Sequence, residues 1–133
     1  MASAVYPPGI ITIMSGGIDL STLAIKAVLL DTAVYTYNAA HNMYDDLSGV
    51  VATETGALGS KTIGVVGTGV FDAANGTVTA ATGTHAEAVA VFVDRGGAAT
   101  ADDLLSFNEL VGPVTPNTGD ITLQWHGSGI FSL

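Results

Sequence analysis

The residues that could do chemistry in this sequence are few, and their spacing is uninviting. Asp45-Asp46 and Asp102-Asp103 are adjacent carboxylates that could ligate a metal or act as an acid and base couple. A hard cation needs six or more oxygens converging on one point, whereas neighbouring acids on a helix or loop point apart. The first pair therefore reads as a solvated helix face, and the second could at most contribute to a structural calcium loop. His41, His85 and His126 are the only imidazoles, and none stands at the i, i+4 or His-x-His spacing that puts two rings on one metal. Only a site assembled from distant strands is left open. His126, beside Trp125, reads as a surface or interface hydrogen-bonding group.

Nucleophilic and nucleotide chemistry fare no better. Ser15-Gly16-Gly17 and Gly127-Ser128-Gly129 lack the Gly-x-Ser-x-Gly elbow that activates a serine. Gly64-Val65-Val66-Gly67-Thr68-Gly69 has the glycines of a phosphate loop but no Gly-Lys-Ser/Thr ending and no flanking strand and helix. Cysteine is absent, which removes disulfides, thiolate zinc sites and cysteine nucleophiles. The expected catalytic, cofactor-binding and metal residues are therefore none, and the chain is expected not to be an enzyme.

The elements that would position any site belong to one domain. At 133 residues the chain supports one core rather than two. Hydrophobic residues make up 48% and charged residues only 11%, less than half the usual share near 25%. So neutral a surface suits a chain packed against other subunits. Lys26, Lys61 and Arg95 face twelve acids, for a net charge of −9. Three scattered cations build no basic patch, so neither nucleic acid nor an anionic membrane is an expected partner. The apolar run at residues 10–14 is too short for a signal h-region or a membrane span, and the start carries no basic n-region. Synthesis in the cytoplasm without an export signal is the expectation.

Frequent glycines between β-branched runs predict an all-β antiparallel β-sandwich with one short helix. Ile121, Leu123 and Trp125 alternate with polar residues as in a half-buried strand over residues 121–126. Residues 22–30, apolar on both sides except at Lys26, read as a central strand. Residues 87–93 and 104–110 read as strands joined through an exposed loop at 96–103. Asn75-Gly76 predicts a hairpin turn. The short helix is expected at residues 38–47, capped by Asn38, with Ala40, Met43, Tyr44 and Leu47 at helical spacing. Residues 56–69, with glycine at five positions, admit no firm assignment.

Both ends are apolar. Tyr6, Pro7 and Pro8 predict an extended, low-entropy arm over residues 1–9 that contacts a neighbouring subunit. Ile130, Phe131 and Leu133 form an alternating tail that is a second candidate contact, although closing the chain's own core is the favoured role there.

The segment 18–31, the aromatic and histidine-bearing stretch through Tyr37, His41 and Tyr44, the strand at 89–93 and the ending Ile121-Thr122-Leu123-Gln124-Trp125-His126-Gly127-Ser128-Gly129-Ile130-Phe131-Ser132-Leu133 together resemble small virion structural proteins of tailed bacteriophages. The likeness runs through nearly the whole chain in order and spacing and rests on no single motif. It is nearest to capsid decoration, or cement, proteins. It implies a jelly-roll or immunoglobulin-like β-sandwich without catalytic residues or cofactors. It further implies a homotrimer that binds the major capsid protein on the outer face of the virion head, where an acidic chain is kept from packaged DNA. A tail or head-to-tail joining protein is the alternative. A carbohydrate-binding β-sandwich is a remoter one, for which one Trp and four Tyr offer few stacking platforms.

Overall fold

The computed structural model describes residues 3–65 and 67–132. Its ten strands are β1 (Ser3–Val5), β2 (Ala24–Leu30), β3 (Val50–Val51), β4 (Thr62–Ile63), β5 (Val70–Asp72), β6 (Gly76–Val78), β7 (Ala86–Asp94), β8 (Leu104–Val114), β9 (Ile121–Leu123) and β10 (Phe131–Ser132). One helix, α1 (Pro7–Met14), follows β1. The main sheet has the order β1-β8-β7-β2-β3, and two small sheets, β10-β5-β4 and β6-β9, complete a sandwich-like all-β fold. Every strand pairing is antiparallel.

Period-two alternation explains why the main sheet is buried on both faces. On β2, Ile25, Ala27 and Leu29 join a core with Val89, Val91 and Val93 of β7, and this face is covered by Phe71, Val78, Leu123, Ile130 and Phe131 of the small sheets and their approaches. The intervening Val28 and Leu30, with Ala88, Ala90 and Phe92, face the opposite way into a second core closed by Tyr6, Tyr35 and Phe107. Strands covered on both sides must be apolar at successive positions, as the sequence of residues 24–30 and 86–93 is. Of the two charged exceptions, Lys26 reaches Glu54 and Asp94 at 3.3 and 2.6 Å, and Glu87 lies at the start of β7 with its side chain on Thr32.

The strand predicted at residues 22–30 is thus present as β2, and those at 87–93 and 104–110 are present as β7 and β8, the latter longer than expected. Beyond β3 the chain still follows β2, because the amides of Thr55 and Leu58 donate to the carbonyls of Ala27 and Ile25 at 2.9 and 2.8 Å. The predicted strand at 121–126 shortens to β9, which leaves Trp125 outside it, half-buried, with its indole N–H on the Ala74 carbonyl at 3.0 Å.

Four expectations are corrected. The arm expected at residues 1–9 is extended only over β1, which pairs with β8 of its own chain, and gives way to α1 at Pro7. Proline at the first helical positions loses no hydrogen bond and arrives with a helical φ, so Pro7-Pro8 starts a helix rather than continuing the extended chain. The helix expected at 38–47 is a loop with one 3-10 turn, Tyr44–Asp46. There the Asn38 side chain accepts from the Ala40 amide at 2.9 Å, and Asp46 accepts from the amides of Asn42 and Met43 at 2.9 and 3.2 Å. Such local bonds compete with helical ones, while Tyr44 is drawn onto Phe92, ring centroids 4.7 Å apart. The Asn75-Gly76 hairpin does not form, since β5 and β6 lie in different sheets. Gly76 serves close approach: a Cβ there would lie 2.9 Å from Leu58 and 3.1 Å from Thr55 side-chain carbons. Lastly, the loop at 96–103 is exposed over its first part but ends in the buried Asp102 and Asp103.

Candidate functional site

The first and last described strands, β1 and β10, lie close together. β1 lies at the edge of the main sheet, and β10 pairs with β5 nearby; between them opens a groove of about 790 Å³ lined in part by Val5, Val70, Val111, His126, Ile130 and Phe131. The tail reaches this place because Gly129, at φ +100°, turns the chain so that the Ile130 amide donates to the Phe71 carbonyl at 2.8 Å. A Cβ on Gly129 would lie 2.2 Å from a Val70 methyl. His126 is exposed, and its Nδ1 accepts from the Ser128 amide at 3.0 Å, which braces the bend read in the sequence at Gly127-Ser128-Gly129.

The predicted contact residues divide. Tyr6 is fully buried, with its hydroxyl bonded to Tyr35 at 2.8 Å and its amide to the Leu105 carbonyl at 2.9 Å. Burial, then the Tyr35 bond, push its phenol far above the ordinary value of 10.0. Tyr6 is therefore a core residue of its own chain, and its expected role as a subunit contact is corrected. Pro7 is exposed and Pro8 half-buried at the start of α1, where they remain on the surface as turn and helix residues. Ile130 and Phe131 are buried, Phe131 stacking on Phe71 with centroids 5.2 Å apart, so the tail closes the core, the role favoured for it from sequence. Leu133 lies outside the described residues, as do residues 1 and 2 of the arm.

The apolar groups that do face solvent are others. Ile11 and Met14, one helical turn apart on α1, are 65% and 78% exposed, and Val111 is 99% exposed. Val111 stands out because the β7–β8 ladder passes from Ala88↔Glu109 to Ala86↔Val114, which leaves residues 110–113 opposite the single Glu87. A bulge of that size lifts the strand off the sheet. The strand expected over 104–110 includes no bulge of this size; the signal for it lies just beyond, in Gly112-Pro113, since proline inside a strand marks an edge or bulge.

Among the described residues, no carboxylate, lysine or arginine lines the groove. The Asp102-Asp103 pair is engaged elsewhere: Asp102 accepts from the Arg95 amide at 3.0 Å, and Asp103 from Arg95 Nε and Nη2 at 3.0 and 2.8 Å. That use of both acids displaces the calcium-loop reading. Carboxylates and an imidazole do converge at one place not singled out in the sequence, Asp31, His85 and Glu87. The signal there was His-x-Glu: two ligand types two residues apart share one side of a strand, a spacing that a search for histidine pairs passes over. No family model matches the chain, and no curated protein matches it.

Proposed function

We propose that this chain is a structural virion protein that binds the outer surface of an icosahedral phage capsid and stabilises it, as a decoration protein, through apolar contacts of low charge. The observation that carries the reading is the surface. Large apolar side chains stand in water at Ile11, Met14 and Val111 on a chain with 11% charged residues. Ordinary soluble domains keep themselves apart with charge; a surface with so few charged side chains is suited to repeated contact with other subunits. Binding only the assembled shell stabilises that shell by mass action, and weak contacts repeated by symmetry gain from avidity. The major capsid protein is the proposed partner, with self-association as a homotrimer. The resemblance to small tailed-phage virion proteins supports the same reading.

The test is the native mass of the purified chain together with its co-sedimentation with expanded capsids that lack it. Trimers that bind and raise the temperature of capsid disruption are expected. Val111→Asp should lower shell binding while leaving the unfolding midpoint of the free protein unchanged, because a side chain 99% exposed contributes nothing to its own core. Rings or tubes without shell binding would refute the decoration role and favour a tail or joining protein.

A further inference from the structure

We infer that Asp31, His85 and Glu87 form a binding site for a divalent first-row transition ion, zinc foremost. One ligand atom from each lies within 4.8 Å of the others, a separation that a single ion can span through small side-chain rotations. The backbone brings them together: the β2–β7 ladder runs to Leu30↔Ala88, so Asp31 leaves one strand where Glu87 and His85 enter the other.

Both carboxylates are already aimed. Glu87 Oε1 accepts from the amide and hydroxyl of Thr32, each at 3.0 Å. Asp31 Oδ1 accepts from the Ala33 amide at 2.9 Å, and its Oδ2 from Thr84 Oγ1 at 3.3 Å. Outer partners of this kind fix the orientation of metal-binding carboxylates. Glu87 Oε2 is left to meet His85 Nδ1, and Asp31 Oδ2 keeps acceptor capacity beyond its bond from Thr84.

Charge gives a second, independent reason. Asp31 is only 8% exposed, and a buried carboxylate calls for a cationic partner or a metal. Each lysine and arginine is engaged elsewhere: Lys26 with Glu54 and Asp94, Lys61 on the Leu23 carbonyl at 2.6 Å, and Arg95 with Asp103. The His85 imidazole, more than half exposed, meets Glu87. A dication would neutralise both carboxylates at once.

The donor set selects the ion. Calcium and magnesium take oxygen ligands, six or more for calcium, whereas one imidazole with two carboxylates suits zinc and its neighbours. Three protein ligands leave a coordination position that water fills. The inference does not depend on the capsid reading, and its test needs no capsid.

The full chain, stripped with EDTA and dialysed, is titrated with zinc chloride in a calorimeter, and its thermal unfolding is followed with and without the ion. One zinc per chain is expected, with a rise in midpoint that EDTA reverses. His85→Ala and Glu87→Gln change exposed or half-exposed side chains, so both should keep the native circular dichroism spectrum and lose at least about 100-fold in zinc affinity. Thr84→Val should lose about tenfold, the smaller effect of removing an outer-shell partner. His126→Ala should bind as the parent does. Absence of saturable binding, binding that survives His85→Ala and Glu87→Gln, or calcium binding tighter than zinc would overturn the assignment.

Discussion

Gly9→Ala should destabilise the protein, although in most helices the same change stabilises it. An added Cβ would sit 2.0 Å from the Leu104 carbonyl oxygen and 3.2 Å from its carbon, whereas ordinary contact begins near 3.4 Å. Leu104 is backbone of β8, fully buried, and cannot retreat as a side-chain tip could. α1 must therefore lift away, and with it the Tyr6 amide that donates to Leu105 at 2.9 Å and the half-buried Ile10 and Ile13 on the core. Overpacking costs about 1–3 kcal/mol. A buried amide left without its acceptor costs about 1–3 kcal/mol more, and the helical preference of alanine returns about 1 kcal/mol. The net loss is about 3 kcal/mol, a fall in Tm of about 10 °C for a domain of this length. Urea and thermal unfolding followed by circular dichroism measure it. Gly97→Ala is the control, because its Cβ would meet nothing within 4 Å, and it should stay within about 0.5 kcal/mol of the parent. A Gly9→Ala chain as stable as the parent, or more so, would refute the close packing of α1 on β8.

Other predictions concern the buried polar groups. Tyr6→Phe removes the hydroxyl bonded to Tyr35 and should lower unfolding free energy by about 1 kcal/mol in urea titrations; Tyr35 keeps its bond to His41 Nδ1 at 2.9 Å, which limits the loss. Arg95→Ala strands the buried Asp103 carboxylate. Because the arginine is 31% exposed, the loss should fall below the 3–5 kcal/mol typical of broken buried pairs, at about 2 kcal/mol, and Asp103→Asn in the same background should recover part of it. Acid should destabilise the fold through Asp94 and Asp46. The Lys26 ammonium holds the Asp94 carboxyl below its ordinary 3.8, and the Asn42 and Met43 amides do the same for Asp46. Both therefore stabilise fully above the ordinary carboxylate range, and that contribution drains away as pH falls through 3.8 toward their lowered folded values. Asp94→Asn should flatten the dependence of urea midpoint on pH below 4, and a slope unchanged by the substitution would remove Asp94 from the account.

How much of this could be read in the sequence follows from the range of the interactions involved. Burial of β2, β7 and the first half of β8 is written locally, because a strand covered on both faces must be apolar at nearly every position, and residues 24–30 and 86–93 are. The low share of charged residues and the lack of any nucleophilic or phosphate-binding motif are likewise properties of residue types and spacing. The all-β class followed from these alone. Local reading failed where two segments distant in sequence compete for the same backbone groups. Pro7-Pro8 is compatible with an extended arm or a helix start, and the docking of Gly9 on Leu104 and of Tyr6 on Leu105 favours the helix. Residues 38–47 carry helical spacing, yet the pull of Tyr44 to Phe92 and side-chain bonds to nearby amides leave a loop. Asn75-Gly76 has hairpin chemistry, but β6 finds its partner in β9, more than forty residues on. The convergence of Asp31 with His85 and Glu87 belongs to the same class: each residue is unremarked in its own segment, and only the register of β2 against β7 places two carboxylates and an imidazole at one point. Sequence determined which segments must be buried and which chemistries lacked their residues; tertiary structure alone decided what the buried segments lie against, since that choice is made by packing between strands and not by the propensity of any one of them.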